Sequence, residues 1–226
     1  MRSQVLTFLT CVSQNAVVVF AALVLMNGAV PCYVTAQESA ASDSMRAVQL
    51  LANARGANPV MCELAMQSID RRYGNWGSTG RAPDAIIGQR ALLDWASKDF
   101  EDAGVVGALS VALSDDDTCV RRMAARLFGR VKHPTVASTL VNRLNDRDER
   151  TRQMAAIALG YIVDHETVDA LIGVLDDGVA AVRSAATWAL GEIEDERAVD
   201  ALIGLLEDDP DPFVRRQAAW ALGNIY

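Results

Sequence analysis

Only two histidines, His133 and His165, occur in the 226 residues, and both fall in stretches that read as turns between helices. General acid–base chemistry and metal binding need several such groups converging on one point. The chain has no zinc-spaced cysteines, no Gly-x-Ser-x-Gly elbow and no phosphate-cradling glycine loop. What it does have is aspartate in short acidic clusters, at 115–117, 146–149, 176–178 and 207–211. Such carboxylates could gather oxygens around a hard cation such as calcium. Helix capping and pairing with arginine explain them more simply, because each cluster stands just before a helical pattern that opens with an arginine. The expectation is a chain with no catalytic residues, no metal site and no cofactor.

Those arginines set a period. Arg121, Arg152, Arg183 and Arg215 fall 31, 31 and 32 residues apart, and each opens a segment of one design. The segments read Val-Arg-Arg-Met-Ala-Ala-Arg-Leu-Phe-Gly at 120–129, Thr-Arg-Gln-Met-Ala-Ala-Ile-Ala-Leu-Gly at 151–160, Val-Arg-Ser-Ala-Ala-Thr-Trp-Ala-Leu-Gly at 182–191 and Val-Arg-Arg-Gln-Ala-Ala-Trp-Ala-Leu-Gly at 214–223. A period of this length means stacked supersecondary units rather than one closed globule. Each unit holds two helical patterns. The first places Val168, Leu171, Ile172 and Leu175, or Val199, Leu202, Ile203 and Leu206, on one helix face. The second runs Val182, Ala186, Ala189, Leu190 and Ile193 along another. Neither helix can bury its stripe alone, so the pairs must stack. Asp211-Pro212 reads as an N-cap followed by the first helical residue.

Asp115, Asp146, Asp177 and Asp208 each lie two residues past the last leucine of a first helix, and the arginine follows six, six, six and seven residues later. This pattern resembles the HEAT repeat, in the short variety named after phycobilisome lyases. In that variety a turn aspartate and a second-helix arginine bond between successive repeats as a ladder. The resemblance covers residues 103–226 as four repeats. It implies an all-α fold, an α-solenoid of stacked antiparallel helix pairs forming a HEAT-like superhelix, with the first helix of each pair convex and the Val-Arg helix lining the concave side. The structural ladder it implies joins Asp115, Asp146, Asp177 and Asp208 to Arg121, Arg152, Arg183 and Arg215. His165-Glu166 is similar to the His-Glu motifs with which HEAT-repeat deoxyhypusine hydroxylases hold two irons. That site needs several such motifs and this chain carries one.

Upstream, residues 37–102 read as N-terminal helices with a degenerate repeat. Arg90 stands 31 before Arg121 and Trp95 stands 31 before Arg126, continuing the period through an inner helix near 85–97. Asn58-Pro59 reads as a cap leading into Val60, Leu64 and Ile69, expected as the outer member of that pair. The glycine-rich stretch 73–83 would replace the short acidic turn with a loop. Met45, Val48, Leu51 and Ala52 form a weak stripe further upstream.

Residues 1–36 differ in kind. Ala16 to Met26 is an uncharged apolar run after a positive start at Arg2, and Val34-Thr-Ala36 suits a signal peptidase. Eleven residues are too few to cross a bilayer, which needs about 20. The segment reads as a cleaved export signal, with a membrane tether through residues 5–26 as the alternative, so the folded part is expected to be secreted or periplasmic. Of the four cysteines, Cys11 and Cys32 would leave with the signal. Cys62 and Cys119 fall in different helices and are expected as separately buried small hydrophobes rather than a disulfide.

Net charge is -8, unevenly spread. Nine basic residues oppose four acidic ones over 117–159, whereas four oppose fourteen over 160–226. Such a gradient can orient a partner, while overall acidity disfavours nucleic acid. Turning the second helix by about 100° per residue sends positions two and six after its valine away from the core. Those columns read Ala91, Arg122, Gln153, Ser184, Arg216 and Trp95, Arg126, Ile157, Trp188, Trp220. Trp95, Arg122, Arg126, Trp188, Arg216 and Trp220 are therefore the candidates for protein binding, since Trp and Arg dominate hot spots. The competing reading packs each Trp sideways on an adjacent repeat, leaving Trp220 the most exposed. The function expected is an exported, non-catalytic scaffold for protein–protein interaction through the concave face, with self-association through the last helix pair in view. The resemblance also implies an alternative, a bilin lyase with a tetrapyrrole and a phycobiliprotein client, which export fits poorly.

Overall fold

The computed structural model describes residues 11–13, 16–18, 43–69, 96 and 99–226. The chain divides into two units, Met1–Ser39 and Ala40–Tyr226. In the first, β1 (Cys11–Ser13) and β2 (Ala16–Val18) pair antiparallel, with Val12 opposite Val17. The rest of the expected export or anchor segment lies outside the described residues, as do Arg90, Trp95 and the glycine-rich stretch 73–83. No helix among the described residues is long and apolar enough to cross a membrane.

The second unit is an α-solenoid. Its described helices are α1 (Asp43–Ala54), α2 (Pro59–Ile69), α3 (Ala103–Ala112), α4 (Thr118–Phe128), α5 (Val136–Arg143), α6 (Glu149–Ile162), α7 (Val168–Ile172), α8 (Ala180–Ile193), α9 (Val199–Asp208) and α10 (Pro212–Ile225). The inner layer runs α2, α4, α6, α8, α10, each helix packed on the next, while α3, α5, α7 and α9 each pack against the inner helix that follows. The apolar stripes explain this arrangement. Val182, Ala186, Ala189, Leu190 and Ile193 are all buried on α8, as are Val168 and Leu171 on the outer helix α7 and Leu175 just after it. In the last pair Leu202 is fully buried, while Ile203 and Leu206 are about 40% exposed.

Aspartate caps three of the inner helices, α4, α6 and α10. Asp117 accepts from the N–H groups of Cys119 and Val120 at 2.8 and 3.2 Å, and Asp211 from Phe213 at 2.7 Å, with Pro212 in the first turn as the sequence predicts. These contacts satisfy donors that a helix start leaves open. α6 and α8 end on Val163 and Glu194 at φ 56° and 58°, left-handed positions that glycine more often fills.

Two rungs of the ladder form, one of them with a residue changed, and the Arg121–Asp146 rung does not. Arg152 donates Nε and Nη2 to Asp177 at 2.7 and 3.0 Å, and Arg183 donates the same pair to Asp209 at 2.7 and 2.9 Å. Asp208, which the leucine spacing selects, is exposed, and Asp209 takes its place. The fixed distance is six residues back from the arginine. Arg121, Arg152, Arg183 and Arg215 each donate Nη1 to the carbonyl of the residue at that offset, namely Asp115, Asp146, Asp177 and Asp209. The extra residue of the last repeat falls before this turn, and so the count from the leucine slips by one. Asp115 is bonded instead by Arg55, from the α1–α2 turn, and Asp146 by Arg143 at 3.1 Å. Arg121 turns its Nη2 to Thr118, leaving a buried Nε with no hydrogen-bond partner among the described residues.

The first pair departs further from expectation. Cys62 and Cys119, expected as separate thiols, form a disulfide between α2 and α4 with Cα atoms 5.7 Å apart. Glu63 pairs with Arg122 at 2.8 Å beside it. Residues 59–69 are therefore an inner helix stacked on α4, not the outer member anticipated. The outer position belongs to α1, which packs on α3. Its buried face is Ala47, Leu50, Leu51 and Ala54, rotated by about a third of a turn from the stripe read in sequence, and Met45 and Val48 are exposed.

Candidate protein-interaction groove

A groove of about 520 Å³ crosses the inner layer, with walls from α2, α4, α6, α8 and α10. The outward column two residues after the helix-opening position contributes Arg122, Gln153 and Ser184, and the column six residues after contributes Ile157 and Trp188. These residues meet because successive inner helices repeat their register, so like positions line up across the stack. Met66, Tyr161, Asp211, Phe213 and Gln217 complete much of the lining. Spacing alone did not single them out. Tyr161 follows the glycine that ends the quoted repeat segment, and Phe213 occupies the second residue of α10 next to a proline.

Trp188 packs on a neighbouring repeat and also lines the groove. Its Cζ3 would lie 2.6 Å from a Cβ at Gly160, so the indole packs closely on the preceding inner helix. Its ring also meets Tyr161 edge-on, with centroids 5.1 Å apart, and lines the groove. Arg126 stacks over the same Tyr161 ring, 4.5 Å from its centroid, in a cation–π contact outside the groove lining. Trp220 repeats the packing of Trp188, its Cζ3 2.7 Å from a Cβ at Gly191, but it is 39% exposed and does not line the groove. Arg216 lies beyond the lining too, 5.5 Å from the Phe213 ring, and the α10 wall is built by Phe213 and Gln217. Trp95 lies outside the described residues.

The charged groups of the lining are already engaged. Arg122 holds Glu63, and Asp211 caps α10 through Phe213. Away from the groove, the ladder carboxylates of Asp177 and Asp209 are held below the usual aspartate range, first by their hydrogen bonds from Arg152 and Arg183. His165 Nδ1 lies 3.0 Å from Asp195, which Arg197 also engages at 2.9 Å, so His165-Glu166 belongs to a surface network joining two inter-pair turns. Among the described residues no cluster of three or more His, Cys, Asp or Glu side chains is placed to hold a metal ion. Asp115, Asp117, Asp146, Asp148, Asp177, Asp209 and Asp211 each accept from a backbone N–H or a guanidinium group.

The HEAT repeats family model matches residues 105–180 and 138–223, and the chain belongs to the HEAT repeat family. A comparison with curated protein sequences finds no match. Similar solved structures include human deoxyhypusine hydroxylase in complex with glycerol, at 20% identity and a TM-score of 0.47. That likeness covers 75% of this chain and 63% of the other. An engineered protein is 22% identical with a TM-score of 0.42, over 82% of this chain and 80% of its own. A designed armadillo repeat protein in complex with the peptide (KR)4 is 17% identical with a TM-score of 0.40, over 86% and 96% respectively.

Proposed function

We propose that this protein is an exported, non-catalytic scaffold that holds a protein partner along its inner helices. The observation that carries the reading is the groove itself, where Trp188, Tyr161 and Phe213 from three successive inner helices converge with Ile157 and Met66. Large aromatic side chains in a concave, partly desolvated setting are the residues that dominate protein recognition. Export is supported by the Cys62–Cys119 disulfide, since such bonds persist in oxidising compartments, and by the apolar run from Ala16 to Met26.

Site-specific photocrosslinking tests the proposal. A photoreactive residue at Gln153 should capture a defined partner in the native envelope or secreted fraction, identified by mass spectrometry. Trp188→Ala should reduce that capture by about tenfold or more, as expected for a hot spot, whereas Trp220→Ala, outside the groove, should leave it unchanged. Equal capture by all three proteins would reject the groove as the binding surface.

A further inference from the structure

The helix that begins the inner layer is held lightly by its own packing. α2 has 11 residues, and the buried ones among its described side chains are Cys62, Ala65 and Met66. A helix of that length is marginal in water by itself, so packing or a cross-link must hold it. Two small side chains and one methionine bury little apolar area. The ion pair from Glu63 to Arg122 adds little more, because both side chains are over 40% exposed and water screens them. The turn before α2 is secured separately. Arg55 bonds Asp115, and the N–H of Gly56, at φ 74°, donates to Asp117 at 2.8 Å. Across α2 itself the strongest constraint among the described residues is the Cys62–Cys119 bond, which keeps the helix beside α4 with Cα atoms 5.7 Å apart.

α2 in turn completes one end of the groove. Met66 lines that end, and Glu63 pairs with Arg122, which keeps its charge in the lining. Without α2 the groove loses this wall and Arg122 loses its partner. Ile157, Tyr161, Trp188 and Phe213 would stay in place, because they stand on α6, α8 and α10.

Resting on the reading of the groove as a protein-binding surface, we infer that the Cys62–Cys119 disulfide is a latch that makes partner binding depend on oxidation. The chain with two free thiols presents an open-ended groove, and closing the bond docks α2 and completes it. In that step Sγ of Cys62 joins Sγ of Cys119. The two thiols lose two protons and two electrons, and the electrons reduce a disulfide donor to two thiols by exchange. Reversal needs a thiolate to reach one of the two sulfurs, and cysteines only 3% and 5% exposed resist that approach. The latch therefore stays closed once α2 is docked.

Hydrogen exchange on the full chain tests this, comparing the oxidised protein with protein refolded and kept in a dithiol, and with the Cys62→Ser/Cys119→Ser variant. Amides of residues 59–69 should exchange about 30-fold faster or more in both bond-free forms, the lower end of the effect of such a cross-link, while those of α6, α8 and α10 keep their protection. A small disulfide donor should restore slow exchange to the reduced wild type and leave the serine variant unchanged. Capture through a photoreactive residue at Gln153 should be lost in the bond-free forms at least as far as in oxidised Met66→Ala.

Slow exchange in residues 59–69 without the bond, or faster exchange spread over every helix, would overturn the inference, as would unchanged capture by a chain whose α2 has opened. Each of these results leaves the groove as a binding surface so long as Trp188→Ala still lowers capture by the oxidised chain. An oxidised chain that captures nothing, or that is indifferent to Trp188→Ala, would overturn both readings.

Discussion

Asp208 and Asp209 are neighbours at the end of α9, yet only Asp209 is buried and accepts two hydrogen bonds from Arg183. Removing one member of a buried pair strands the other, at a cost of about 3–5 kcal/mol, whereas an exposed substitution stays within about 0.5 kcal/mol. Asp209→Ala should therefore destabilise strongly and Asp208→Ala hardly at all, measured by chemical denaturation. The pair also makes a prediction in pH. Arg152 and Arg183 lower the folded pKa of Asp177 and Asp209, so the unfolded chain takes up protons first as acid is added. Their stabilisation is complete above the ordinary aspartate value of about 3.9 and is withdrawn as pH falls through the lower folded values. Asp209→Asn should make stability flatter with pH in that acid range. An unchanged slope would show that the carboxylate does not carry the coupling. Arg121 shows that membership of a column is not enough, since its counterpart Asp146 is engaged by Arg143 instead.

At the scale of elements, the Leu-Gly repeated near the end of α6, α8 and α10 acquires its reason from the neighbour. A Cβ on Gly160 would stand 2.6 Å from Trp188 and 2.9 Å from the Cα of Ala189, and one on Gly191 would meet Trp220 and Ala221 at 2.7 and 2.9 Å. Glycine here lets two helices approach and seats the following tryptophan. Gly223 holds the same position in the last repeat with nothing within 4 Å of such a Cβ. The same substitution should thus have opposite signs. Gly160→Ala should cost about 1–3 kcal/mol by overpacking against backbone, while Gly223→Ala should be neutral or stabilise by up to about 1 kcal/mol through helix propensity. Thermal melts of the two variants decide it, and equal effects would remove the packing argument. The sideways packing of tryptophan was legible as one of two readings. Its direction, onto the preceding glycine, was not, because sequence records a column and not which neighbour it faces.

At the scale of the molecule, one covalent link lies where the repeat pattern is weakest. The Cys62–Cys119 bridge spans 57 residues and ties α2, the degenerate inner helix, to the regular stack. Closing such a loop stabilises by about 2–4 kcal/mol, and for a chain of this size each kcal/mol shifts Tm by about 2–4 °C. Reductant, or Cys62→Ser with Cys119→Ser, should lower Tm by about 4–16 °C, and a Tm that does not move would show that the bridge contributes nothing. The sequence by itself determined the helices, their pairing and their stacking, because a solenoid buries each apolar stripe only against neighbours one period away and the period is written in Arg121, Arg152, Arg183 and Arg215. Tertiary structure decided what depends on the exact offset between helices once that period fails. A single inserted residue moved the ladder from Asp208 to Asp209, and the degenerate first pair hid both the inner place of residues 59–69 and the meeting of two cysteines. The groove is of the same kind, since it takes its lining from five helices and exists only when they are placed side by side.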